Sequence, residues 1–189
     1  MVEYYDDLIT HIETISQTKQ SVIIAIDGAS ASGKTTLAND IQNKFDATII
    51  HMDDFFLPKQ LRTPARFNEP GGNIHYEYFK DAVVAQLHQK VIAYRPFDCH
   101  EMNFKPIHKI PRKPIVIIEG SYATHPYFGR YYDVSIFLDI DAKTQVARLV
   151  QRNGEHGAKQ FINRWIGLEN TYFDAFAIEH KADYVFKVT

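Results

Sequence analysis

Gly28-Ala29-Ser30-Ala31-Ser32-Gly33-Lys34-Thr35 stands just after the apolar run Ser21-Val22-Ile23-Ile24-Ala25-Ile26, and this stretch decides the fold. It has the form G-x-x-x-x-G-K-[ST], a phosphate-binding loop expected between a strand and a helix. Helical spacing continues through Thr36, Leu37, Ala38, Ile41, Lys44 and Phe45, so the loop opens a helix whose positive end faces an anion. Glycine at 28 and 33 lets the backbone wrap closely, Lys34 can span β- and γ-phosphates, and the Thr35 hydroxyl can hold Mg²⁺. Average residue usage makes an accidental match in a chain of this length rarer than about 1%, so the loop is read as a nucleotide cradle spanning Gly28 to Thr36.

Apolar runs bounded by turn signals recur at 22–26, 47–51, 115–118, 134–138 and 184–188, with helical patterns between them. Five such runs predict an α/β fold in three layers, a five-stranded parallel sheet covered by helices on both faces. Ahead of the first strand, Tyr5, Leu8, Ile9, Ile12 and Ile15 mark an N-terminal helix within residues 1–20. Residues 54–114 form a long insert after the second strand, rich in proline and containing the Glu69-Pro70-Gly71-Gly72-Asn73 turn. Long ordered inserts usually build binding sites, so this one is expected to hold the acceptor. Within it, Tyr76 to Val91 reads as one helix, the segments around Ile92–Asp98 and Asn103–Lys105 as extended pieces, and Lys105–Lys113 as a solvated loop. The whole of 1–189 is expected to make one domain.

Bulk composition removes several function classes. The net charge is −2, which gives no global attraction to nucleic acid or anionic lipid, and no run approaches the length of a membrane span. A lone cysteine, Cys99, excludes an intramolecular disulfide, and no leader pattern opens the chain, so a cytoplasmic setting is expected. The nine histidines lack paired ligand spacing, which argues against a zinc site. The expected partner is a small-molecule alcohol rather than nucleic acid or membrane, and homo-oligomerisation stays open.

In open α/β sheets, ligands collect at the carboxyl ends of the strands. The second run ends in Asp53-Asp54 and the third in Glu119-Gly120. A carboxylate there can ligate Mg²⁺, and another can accept the proton of an acceptor hydroxyl. Asp53 is assigned as the base, with a place also near the metal beside Thr35 and Glu119; a one-residue offset would exchange Asp53 and Asp54. Residues 141–160 read as a lid region whose helix carries Arg148 and Arg152 on one face, where they can offset charge on a transferring phosphoryl group. Arg66, His75 and Phe97 are the expected acceptor contacts.

Taken together, these residues resemble the uridine kinase-like group of P-loop kinases, which includes the phosphoribulokinase and bacterial pantothenate kinase branches. The resemblance runs from Val22 to Phe186 and rests on the phosphate loop, Met52-Asp53-Asp54-Phe55-Phe56, Glu69-Pro70-Gly71-Gly72-Asn73, Ile118-Glu119-Gly120 and Asp183-Tyr184-Val185-Phe186. It implies a P-loop NTPase fold and an ATP- and Mg²⁺-dependent kinase. It also implies that Asp53 matches the catalytic Asp, that Thr35 and Glu119 surround magnesium, and that Arg148 and Arg152 match lid arginines. Departures fall on the acceptor side. Phe97 lacks a phenolic hydroxyl, Met102 stands where a base-reading His is expected, Ile74-His75 replaces a ribose-gripping Asp, and Asn153–Gly157 contains no arginine. Each removes a group that would recognise uridine or close over phosphates.

Two rivals differ in class. A GTPase switch finds its N-K-x-D string at Asn43–Asp46, but at the end of the helix after the phosphate loop, and no D-x-x-G occurs. A non-catalytic nucleotide-binding regulator is the other, disfavoured by the joint presence of Lys34, Thr35, Asp53 and Glu119.

Overall fold

The computed structural model describes residues 5–188. In chain order the elements are α1 (Asp6–Thr18), β1 (Val22–Gly28), α2 (Lys34–Phe45), β2 (Thr48–His51), α3 (Pro64–Asn68), α4 (Tyr76–Ala82), β3 (Val91–Tyr94), β4 (Phe97–Asp98), β5 (Asn103–Phe104) and β6 (His108–Pro111). They continue with β7 (Ile115–Glu119), β8 (Val134–Ile140), α5 (Ala142–Gln160), a π-helical turn (Phe161–Trp165), α6 (Ile166–Phe176), α7 (Ile178–Lys181) and β9 (Tyr184–Val188).

Five strands form one parallel sheet in the order β2-β7-β1-β8-β9. All seven residues of β1 and all five of β7 are buried, because helices and the insert cover both faces. Alternation along β1 sorts its side chains between two cores. Val22, Ile24 and Ile26 meet α1 and α2 through Leu8, Ile12, Leu37 and Ile41. Ile23 and Ala25 face the other way, toward Met52, Phe55, Phe79 and Tyr172. The chain is therefore the expected three-layer α/β fold. The part of the N-terminal helix expected within residues 1–4 lies outside the described residues.

The insert departs from its expected outline. The helix over 76–91 stops at Ala82, where Val83 adopts φ −120° and ψ −60°, and Val91 instead begins a strand. The Gln86 side chain explains the stop. Its amide donates to the carbonyls of Ala82 (2.8 Å) and Ala93 (3.2 Å) and accepts from the Ala93 N–H (3.0 Å), satisfying a helix-end carbonyl while holding β3 in place. The segment read as a solvated loop over Lys105–Lys113 contains β6, which pairs antiparallel with β3. Pro111 is tolerated at the end of this two-stranded ribbon because it removes no interior ladder bond.

One buried carboxylate ties the strand ends together. Asp27, fully buried near the end of β1, accepts from the backbone N–H of Gly28 (2.8 Å), Tyr122 (3.0 Å) and Thr124 (2.9 Å). The hydroxyls of Thr124 (2.7 Å) and Tyr172 (2.8 Å) complete its shell. The phosphate loop, the turn after β7 and helix α6 therefore share one acceptor. Replacement Asp27→Asn keeps the shape but turns an NH₂ toward N–H or O–H donors in either orientation. We expect it to cost on the order of 2–4 kcal/mol in urea denaturation; an unchanged midpoint contradicts this role.

Candidate active site

At the carboxyl ends of the strands lies a cavity of about 980 Å³ lined by the phosphate loop, Asp53, Glu119, the turn after β7, the insert and the lid region. The loop has the strained backbone that its glycines permit. At Gly28 (φ +135°) a Cβ would strike the backbone of Leu138 on β8, and at Gly33 (φ +98°) the dihedral itself disfavours any side chain. Ala31 also sits at positive φ, +62°. The Lys34 ammonium, largely buried, donates to Gly28 O (2.9 Å) and Ala29 O (2.8 Å), across the hollow that the loop encloses.

At the end of the loop, Thr35 Oγ1 donates to Glu119 Oε1 at 3.1 Å, and the same oxygen pairs with His51 Nδ1 at 2.5 Å. That hydrogen bond raises the His51 pKa above its ordinary value, against the opposing effect of burial. Asp53 and Asp54 occupy a short 3₁₀ turn, Met52–Phe55, that continues β2. Their side chains part company there. Asp54 accepts from Tyr94 Oη at 2.7 Å beneath the insert, whereas Asp53 lines the cavity. The protein around Asp53 raises its carboxyl above the usual Asp range by desolvation, although the side chain remains open to the cleft; Lys34 opposes that shift, and Glu119 reinforces it.

Arg148 and Arg152 both line the cavity, Arg148 reaching Ala31 O at 3.4 Å and Arg152 lying 5.3 Å from the Phe161 ring. Asp141 starts their helix by accepting from the Thr144 N–H at 3.0 Å. Gly154, at φ +69° and ψ 169°, breaks α5 within the lid region.

The three expected acceptor contacts lie outside the lining of this cavity. Arg66 is spent inside the insert, where it donates to Gly72 O (3.0 Å), Ile74 O (3.1 Å), Tyr76 Oη (2.5 Å) and both carboxylate oxygens of Glu77 (2.7 and 2.8 Å). It braces the Glu69–Asn73 turn rather than a ligand. Phe97 is buried edge-on against Phe104 at 5.3 Å, and His75 packs on Tyr78 at 5.5 Å; neither lines the cavity.

Other residues take the wall that these leave. Arg62, Phe56, Asn73, Cys99, Tyr122 and Trp165 are among the residues that line it. The Asn73 carboxamide and the Tyr122 hydroxyl are neighbours, buried, and without a completed hydrogen bond, which leaves polar capacity at the cavity floor. Asn73 ends a turn legible in the sequence, and Tyr122 follows the Glu119-Gly120 strand end, so proximity to those motifs was the available signal. Glu169 had none. From α6 its carboxylate accepts from Ser30 N (2.9 Å), Ser121 Oγ (2.9 Å) and Ser30 Oγ, clamping the outer side of the phosphate loop. Tyr172, three residues on along the same helix face, carries the bond to Asp27.

Comparison with known proteins accords with this geometry. The model of the phosphoribulokinase / uridine kinase family matches residues 23–160. The chain belongs to this family. Membership makes it a phosphotransferase with an alcohol acceptor. A uridine kinase of Clostridium botulinum (strain 657 / Type Ba4) is 28% identical over 147 residues, covering 71% of this chain and 70% of that protein. A uridine kinase of Lactiplantibacillus plantarum is 26% identical over 151 residues, covering 74% and 71%. The structure of a possible uridine kinase from Bacillus stearothermophilus superposes with a TM-score of 0.68 at 20% identity, covering 95% of this chain and 99% of that one, which shows the shared fold.

Removing the Glu169 clamp frees the Ser30 N–H and hydroxyl, while the Ser121 hydroxyl keeps Gly28 O as its acceptor at 2.9 Å. Glu169→Ala is expected to weaken ATP binding roughly 10-fold or more through loosening of the loop, measured by calorimetric titration. Unchanged affinity would remove Glu169 from loop positioning.

Proposed function

We propose that the chain is an ATP- and Mg²⁺-dependent kinase that transfers the γ-phosphoryl group to a hydroxyl of a small molecule. One observation carries this reading: Lys34, the Thr35–Glu119 pair and Asp53 converge on a single cavity whose wall is a helix-opening anion cradle. Residues Gly28 to Thr36 would wrap the polyphosphate. A Mg²⁺ ion suits the hard oxygens of Thr35, Glu119 and Asp53, few enough to leave positions for phosphate and water. Bound there, the ion supplies neutralisation of phosphate charge.

The chain's own groups perform the rest. Lys34 exchanges its two loop carbonyls for phosphate oxygens, and Arg148 and Arg152 offset negative charge on the transferring group. Asp53 orients the acceptor hydroxyl and takes its proton as that oxygen bonds to the γ-phosphorus and ADP departs. The curated relatives named uridine kinases make a nucleoside the first acceptor class to test. A second reading, a non-nucleoside acceptor such as a sugar or pantothenate, is favoured by the withdrawal of Arg66, His75 and Phe97 from the cavity.

Asp53→Asn is expected to keep ATP affinity and lose turnover by about 100-fold or more, read by ADP release. Near-normal turnover would remove Asp53 from the base role. Because folding raises the Asp53 pKa from 3.8, the folded state binds this proton more tightly than the unfolded chain. Ionisation of Asp53 at neutral pH therefore opposes folding, and Asp53→Asn should raise the melting temperature of the ligand-free protein at pH 7. The same shift puts the acid limb of the kcat/KM profile, which reports the ligand-free enzyme, above pH 3.8; a limb at or below that value contradicts it.

A further inference from the structure

The insert contains two arginines four residues apart that have opposite fates. Arg66 is ion-paired with Glu77 at 2.7 Å and lies 3.7 Å from Glu69. Arg62, in the turn after the 3₁₀ segment Lys59–Leu61, lies half-buried in the cavity wall and makes no ion pair among the described residues. Its Nε is tied to Leu57 O at 2.8 Å, which fixes the side chain, and the guanidinium also meets the Cys99 side chain on the cavity wall. The Cys99 thiol beside it is a neutral partner and supplies no counter-charge of its own.

A half-buried guanidinium without a counter-charge is costly to retain, and its planar fork fits a carboxylate or phosphate through two parallel hydrogen bonds. Arg164, which also lines the cavity, stacks on Phe67 of α3 at 4.7 Å and on Trp165 at 5.4 Å, and it too makes no ion pair among the described residues. Its contact with α3 brings it to the insert side. Lys34 and Arg148 instead contact loop carbonyls on the nucleotide side. Of the three acids that line the cavity, two are committed to other partners and the third, Asp53, makes no ion pair among the described residues. Glu119 is engaged with Thr35 and His51, and Glu169 with Ser30 and Ser121.

We propose that the acceptor alcohol carries an anionic group, a carboxylate or a phosphate monoester, which the Arg62 guanidinium holds with Arg164 alongside. This rests on the kinase reading and names its substrate class. The anion is the handle that fixes the molecule on the insert side, and its hydroxyl points back toward Asp53. The unpartnered Asn73 and Tyr122 groups supply neutral hydrogen bonds to the part between. A neutral nucleoside would leave the Arg62 charge unmatched.

The test uses the full chain saturated with Mg²⁺ and a non-hydrolysable ATP analogue, so that the phosphate loop is filled. Inorganic phosphate and acetate are then titrated separately by calorimetry, and the arm that binds identifies the anion. Binding of at least one is expected, weakened roughly 10- to 100-fold by Arg62→Gln and partly restored by Arg62→Lys. Absence of binding by both anions, or affinities indifferent to Arg62→Gln, overturns the proposal. Efficient ADP release with a neutral nucleoside, unaffected by Arg62→Gln, also overturns it while sparing the kinase reading. Failure of the wild-type chain to bind the ATP analogue is the separate result that removes the kinase reading itself.

Discussion

A carboxylate with five donors around it, held out of water, sets the geometry of everything functional here. Asp27 cannot lose any of its partners without orphaning a buried N–H or O–H, so the end of β1, the turn after β7 and helix α6 are fixed relative to one another. Tyr172 provides the α6 end of that link, and its ring also lies parallel to His125 at 5.6 Å. His125 in turn stacks on Tyr76 at 5.0 Å and faces Gly71, where a Cβ would meet its ring. The Glu69–Asn73 turn of the insert is thus seated on the same helix that anchors the phosphate loop, which brings Asn73 to the cavity floor.

The electrostatics of the cleft follow from which charges the fold spends on itself. Glu169 and Asp54 are committed to protein partners, and Glu119 is shared between Thr35 and His51. Asp53 stays open, at a cost in folding expressed as a raised pKa. Such a cost accords with the role proposed for Asp53, in which the partner that would stabilise it arrives only with the ligand.

Sequence showed the parts of this account that are local. The phosphate loop, the five strand runs and the acids at strand ends are each set by short-range pattern: turn glycines, apolar alternation, and a polar residue where a strand stops. The insert was less legible because its structure is decided by partners far along the chain. Arg62 and Arg66 are alike in residue type and neighbourhood, and only the folded position of Glu77 and Tyr76 turns one into a brace and leaves the other facing the cavity. In the same way Gln86, by bonding Ala82 and Ala93, ended a helix that apolar spacing alone would have continued. Asp27 and Glu169 have no motif of their own; their importance comes from donors that converge only after folding.

The most direct measurement is a crystal structure of the chain with Mg²⁺ and a non-hydrolysable ATP analogue. The account predicts that the triphosphate lies against the backbone of residues 28–36, that the Lys34 ammonium leaves the carbonyls of Gly28 and Ala29 for phosphate oxygens, and that Asp53 faces the γ-phosphate across room for an acceptor. A nucleotide bound elsewhere, or a terminal phosphate remote from Asp53, would contradict it.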